Sequence, residues 1–137
     1  MFNIIRGDDI EKKDIEYIES TLKLKIPKEL ANLWLNYGSG FLDGCEENIN
    51  RFMDIESILG FRNKAGDYEY LPDIEIYDDF CEDKFVFFEA NESAYISIGF
   101  TAKNYGKIFY YDIEIASSIN DFLEKMKDDD LYYTKLL

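Results

Sequence analysis

Histidine is absent from this 137-residue chain, cysteine and proline occur twice each, and tryptophan once. Without imidazole there can be no Ser-His-Asp or Cys-His catalytic apparatus, no H-E-x-x-H zinc site and no histidine acid–base chemistry. Cys45 and Cys81, 36 positions apart, cannot complete a cysteine-rich zinc site and are too few for a disulfide framework. They read as small buried hydrophobes in a reducing compartment. No apolar run approaches membrane-spanning length, and the start from Met1 to Asp9 lacks the apolar core of a signal peptide. A cytoplasmic protein that stays off membranes is expected, and Asn91-Glu92-Ser93 then reads as a turn rather than a glycosylation site.

Positive charge is scarce as well. Fifteen Lys and Arg stand against 29 Asp and Glu, a formal net charge of −14. Phosphate attraction needs a basic footprint, so nucleic acid is excluded as a partner, and an anionic membrane equally so. Such a field draws in a protein partner with a basic surface, and on charge alone a soluble surface with no target fits equally well. The excess is concentrated: residues 38–92 hold 15 acids and 4 bases, which is −11 of the −14.

Apolar residues are plentiful at 47%, and 11 Phe and 11 Tyr give the chain ample material for a core. Residues 1–137 are expected to form one domain, the natural unit for this length. Asp8-Asp9-Ile10-Glu11 predicts a helix start with an Asp cap, after which Ile15, Ile18 and Leu22 share a face and Glu19 can pair with Lys23. Pro27 suits the first turn of a second helix, with Leu30, Leu33, Trp34 and Tyr37 on its apolar stripe and Gly38 as its stop. Gly38-Ser39-Gly40 and Gly44 predict a loop, and Ile49 to Met53 a short strand. Asp54 predicts the cap of a single helical turn ending at Gly60. Only short extended pieces such as Ile74 to Tyr77 are expected between residues 61 and 84. Phe85–Ala90, Tyr95–Phe100 and Lys107–Ile113 predict an antiparallel meander with one buried face. Ser118 to Asp121 matches a capping box for a last helix carrying Ile119, Phe122, Leu123 and Met126, ended by Asp128-Asp129-Asp130. The fold class is α+β, a central antiparallel sheet flanked by N-terminal and C-terminal helices.

Nucleotide motifs fail on inspection. Gly38-Ser39-Gly40 lacks the third glycine of a dinucleotide fingerprint and follows a helix, and Asn104-Tyr105-Gly106-Lys107 lacks phosphate-loop spacing. Asp78, Asp79, Glu82 and Asp83 are the densest carboxylate cluster, yet they do not follow the alternating calcium-loop pattern and read as a solvated face. No cofactor, metal or catalytic residue is assigned. Aromatics interleaved with acids in Asp67-Tyr68-Glu69-Tyr70 and Tyr77-Asp78-Asp79-Phe80 suit a protein interface, and suit rings buried beneath a polar loop equally well.

Taken in order, these motifs resemble the SUKH superfamily, the Smi/Knr-like group. The resemblance is carried by Leu24-Lys25-Ile26-Pro27-Lys28-Glu29-Leu30, by Leu33-Trp34-Leu35-Asn36-Tyr37-Gly38-Ser39-Gly40, and by Ile49-Asn50-Arg51-Phe52 with Ile55 to Leu59. It continues in Ile108-Phe109-Tyr110-Tyr111-Asp112 and in Ile115-Ala116-Ser117-Ser118-Ile119-Asn120-Asp121-Phe122-Leu123. One departure is Asn36-Tyr37-Gly38 where many members have Asn-Gly-Gly. The resemblance implies a non-enzymatic α+β domain. Bacterial members commonly act as immunity proteins against polymorphic or contact-dependent toxins, often nucleases, and fungal members as intracellular regulators of cell-wall synthesis. The family has no shared catalytic residues to carry over.

The leading expectation is therefore an immunity protein, an antitoxin binding a cognate protein toxin with a basic surface. The expected contact region is the acidic stretch of Asp73, Glu75, Asp78, Asp79, Glu82 and Asp83, with Tyr77 as its aromatic anchor. A regulatory adaptor binding a host protein is the second reading. A carboxylate-dependent hydrolase is the third, and nothing in the sequence localises its catalytic pair.

Overall fold

Ile15, Ile18, Leu30 and Trp34 recur at helical spacing, and the two helices they imply open the chain. The computed structural model describes residues 4–6, 9–42, 49–71, 74–80, 82–91 and 94–136, with backbone alone at 4–6, 67 and 78–80. Helix α1 (Lys12–Leu22) starts later than a cap at Asp8, which lies outside the described residues, would place it. Its N-cap is Glu11, whose N–H donates to the Asp14 carboxylate at 2.9 Å. Glu19 does not pair with Lys23, because Lys23 is the left-handed C-cap of the helix, with φ of 58°. The Glu19 carboxylate instead reaches past the helix end, accepting from the Ile26 N–H at 2.9 Å and lying 3.9 Å from Lys25 Nζ. That brace sets the approach to Pro27, the N-cap of α2 (Lys28–Tyr37).

Beyond Gly38 the expected loop gives way to a strand. β2 (Gly40–Leu42) pairs antiparallel with β1 (Ile4–Arg6) on one side and with β3 (Arg51–Phe52) on the other. Asp54 does cap the next helix, accepting from the Ser57 N–H at 2.7 Å, but α3 (Ile55–Asn63) runs on past Gly60. Burial of Phe61 favours continuation, and Gly60 serves a close approach: a Cβ there would sit 3.2 Å from the Ala65 carbonyl oxygen.

β4 (Lys84–Ala90) and β5 (Ala94–Gly99) form the sheet centre, followed by β6 (Ile108–Tyr110) and β7 (Ile113–Ala116). The seven strands among the described residues lie in chain order, each antiparallel to the next. The single strand expected over Lys107–Ile113 is thus two, because Tyr111 adopts a left-handed φ of 56° and turns the chain so that Tyr110 pairs with Ile113.

Register sorts the two faces of the sheet. Phe52, Phe88, Ile96 and Tyr110 stand opposite one another in a row, as do Phe85, Ile98 and Ile108. Phe88 meets Phe122 edge-on at 5.1 Å, which seats α4 (Ile119–Asp128) on this face. Ser118 Oγ accepts from the Asp121 N–H at 3.0 Å, the cap its spacing predicts. Glu29, in the first turn of α2, accepts from the N–H groups of Ile119 and Asn120 at 2.7 and 3.0 Å, joining the second helix to the last. Every residue of β5 is buried, so the sheet is covered on both faces rather than the expected one. The second cover comes from α3 and the residues that follow it.

Candidate partner-binding surface

Between α3 and β4 the chain carries eight carboxylates and no Lys or Arg over residues 65–83. This acidic segment is strapped across the face of the sheet that bears Val86, Glu89, Tyr95 and Ser97. Ile74 to Tyr77 is not the short extended piece expected: Ile74–Phe80 forms a 3-10 helix. A period of three residues turns Ile74 and Tyr77 to the same side, and Ile74 is buried.

Three attachments hold the segment. At its start Tyr68, in the 3-10 turn Gly66–Tyr68, packs on Phe61 at 5.3 Å and on Tyr95 at 6.1 Å. Arg51 Nη2 donates to the Tyr68 hydroxyl at 3.1 Å while its Nε donates to Glu89 at 2.9 Å. In the middle, Tyr77 meets Phe61 at 5.3 Å and Tyr95 at 5.9 Å, both edge-on, and stacks on Tyr111 at 5.2 Å. Burial raises the Tyr77 phenol above its ordinary range, with the neighbouring Tyr111 adding to the effect, and burial pushes Tyr95 up to about 12. At its end Asp83 accepts from Lys84 Nζ at 2.7 Å and from the Asn104 side-chain amide, while its carbonyl oxygen accepts from the Phe100 N–H at 2.9 Å. Burial opposes ionisation of Asp83, but the hydrogen bonds from Lys84 and Asn104 outweigh it and hold the carboxyl below its usual range. Lys84 itself is buried, its ammonium 4.7 Å from the centre of the Phe109 ring. Beneath the strap lies a cavity of about 30 Å³ between Ile58, Phe61, Ile74, Tyr77, Val86 and Ser97, room for a water molecule and no more.

The expected contact residues are therefore distributed unequally. Glu75 and Glu82 are exposed. Asp78 and Asp79 lie in the 3-10 helix with backbone alone described, and Asp73 lies outside the described residues, as do both cysteines. Asp83 is engaged in the latch with Lys84 and Asn104, and Tyr77 is half-buried among rings. On the outer side of α3 a groove of about 470 Å³, lined by Asp54, Glu56, Ser57, Asn63, Gly66 and Tyr68 among others, contains no Lys or Arg. Tyr70, one of the aromatics that suit an interface but not part of the expected contact region, stands out of the segment 88% exposed. A signal was present in Tyr68-Glu69-Tyr70, because two rings so close in a chain that buries one of them need not share its direction. Among the described residues no three His, Cys, Asp or Glu side chains converge as metal ligands, and no helix is long and apolar enough to cross a membrane.

Among the described residues, four helices and a seven-strand antiparallel meander, with an acidic segment bound over one face, make an α+β protein. Residues 12–123 match the SUKH_6 family model, described as SMI1-KNR4 cell-wall, and the chain belongs to that family. It is also 47% identical over 128 residues to the immunity protein YxxD of Bacillus subtilis (strain 168), a match that spans 93% of this chain and 87% of that protein.

Proposed function

We propose that this chain is an immunity protein, a non-catalytic domain of residues 1–137 that neutralises a cognate toxin by binding it in the cytoplasm of the producing cell. The 47% identity to immunity protein YxxD along nearly the whole chain is the observation that carries this reading. The net charge of −14 supports a toxin with a basic surface. A nuclease fits that description, since an enzyme that grips polyanionic substrate carries a cationic face which an acidic protein can occupy. The acidic segment supports a contact surface that includes Glu75, Asp78, Asp79 and Glu82, with Asp73 beside them in the sequence. Complementary fields accelerate encounter, and buried side chains then slow release.

Co-expression tests the reading. A toxin domain encoded beside this chain should arrest growth alone and be tolerated when the chain is present. Arrest unchanged by the chain would overturn the proposal. Replacing Glu75, Asp78, Asp79 and Glu82 together by Lys should slow association with that domain and flatten its dependence on salt. An association rate equal to that of the parent protein would remove these four carboxylates from the surface.

A further inference from the structure

Tyr68 and Tyr77 are both held against the sheet by ring contacts, Ile74 is buried and Leu71 is half-buried, so the inward-facing positions between them are filled. Among the described residues of the same stretch, two large apolar side chains are left in solvent: Tyr70 is 88% exposed and Ile76 44%. The exposed carboxylates Glu69, Glu75 and Glu82 belong to the same segment, which carries no compensating cation from residue 65 to 83.

We propose that Tyr70, with Ile76, is the apolar anchor by which this chain holds a basic face of its toxin, an inference that rests on the immunity reading above. At 88% exposure Tyr70 contributes little to the fold, while the supports on either side of it fix the backbone that carries it. A rigid ring on a held backbone loses little entropy when a partner closes over it, which is why tyrosine dominates protein contact sites. Its surroundings select the partner. An apolar pocket rimmed by Lys and Arg would bury the ring and meet the exposed carboxylates of the same segment. An anionic membrane or a nucleic acid would be repelled by the same carboxylates, and a second copy of this chain would set like charge against like. Tyr77, half-buried and packed on Phe61, Tyr95 and Tyr111, instead supports the segment from below.

The test is a binding measurement with a purified toxin domain, one from whose growth arrest the chain protects in the co-expression test above, using the full chain and three single variants. Tyr70→Ala should weaken binding by about thirtyfold, carried mainly by faster dissociation, the loss expected of a central interface ring. Tyr70→Phe should stay within about threefold of the parent, because the ring rather than the hydroxyl fills the pocket. Tyr17→Ala, at an exposed ring on α1, should bind as the parent does. All three should melt with the parent protein. A Tyr70→Ala variant that binds within twofold of the parent (about 0.4 kcal/mol), or an equal loss on Tyr17→Ala, overturns the anchor while leaving the immunity reading standing. Failure of the parent chain to bind the domain at all overturns both.

Discussion

The latch at the end of the acidic segment makes an asymmetric prediction. Lys84 and Asp83 form one ion pair at 2.7 Å, but the lysine side chain is 8% exposed and the aspartate 31%. Removing the aspartate strands a buried ammonium, whereas removing the lysine leaves a carboxylate that water and Asn104 can still serve. Asp83→Ala should therefore cost about 3 kcal/mol, the lower end of the penalty for an uncompensated buried charge. Lys84→Met keeps an unbranched stem of similar length and forfeits mainly one charge-assisted hydrogen bond. The relief of no longer burying a charge offsets part of that, so about 1 kcal/mol is expected. Urea unfolding followed by fluorescence of the single tryptophan, Trp34, which is fully buried, gives both numbers. Acid adds a second check. Asp83 is held below its ordinary 3.8 in the folded state, so the stability it contributes is complete above that pH and is lost as pH falls through the lower folded value. The gap between the parent and Lys84→Met should be level from neutral pH down to about 5 and close below about 4. A larger loss for Lys84→Met than for Asp83→Ala, or a gap that persists in acid, would refute the reasoning.

Alkali should unfold the protein through its tyrosines. Burial pushes Tyr95, Tyr110 and Tyr133 up to about 12 and raises Tyr77 and Tyr132 as well. Their contribution is complete below the unfolded value of about 10 and is lost as pH climbs above it, so unfolding free energy should fall steadily beyond pH ~10 in urea titrations. Phe88, fully buried between Phe52 at 5.0 Å and Phe122 at 5.1 Å, should cost roughly 3–5 kcal/mol when replaced by Ala, read from the shift of the urea midpoint at constant slope. Gly99→Ala would place a Cβ 2.0 Å from the Asn104 carbonyl oxygen, so the turn that supplies Asn104 to the latch must move. A loss of at least about 1–3 kcal/mol is expected in the same assay.

Much of the fold can be read from the sequence where local and tertiary preferences agree. Pro27 and Gly38 bracket α2, Ser118 caps α4, and the stripes through Leu30 and Trp34 and through Ile119 to Met126 are the buried ones. Where they disagree, packing wins. Gly60 looks like a helix stop, yet Phe61 beyond it is needed against Tyr68, Tyr77 and Tyr95, and the helix continues. The turn at Tyr111 has no Gly, Asn or Pro to announce it, because ring contacts with Tyr77 and Tyr110 accompany its left-handed backbone. The Glu29 bonds to the start of α4 span 90 and 91 positions and leave no local signal. In the candidate surface the charge asymmetry of residues 38–92 is plain in the sequence, but the direction of each ring is not. A tyrosine flanked by acids has the same local appearance whether it supports the strap, as Tyr77 does, or projects from it, as Tyr70 does.

Titrating the purified chain into an activity assay of a toxin domain from whose growth arrest it protects cells tests the central claim most directly. Tight binding without catalysis should abolish the domain's activity in proportion to the amount added, with the end point at one equivalent. Full activity in the presence of a large excess, or complete loss at a small fraction of an equivalent as catalytic inactivation would give, would contradict it.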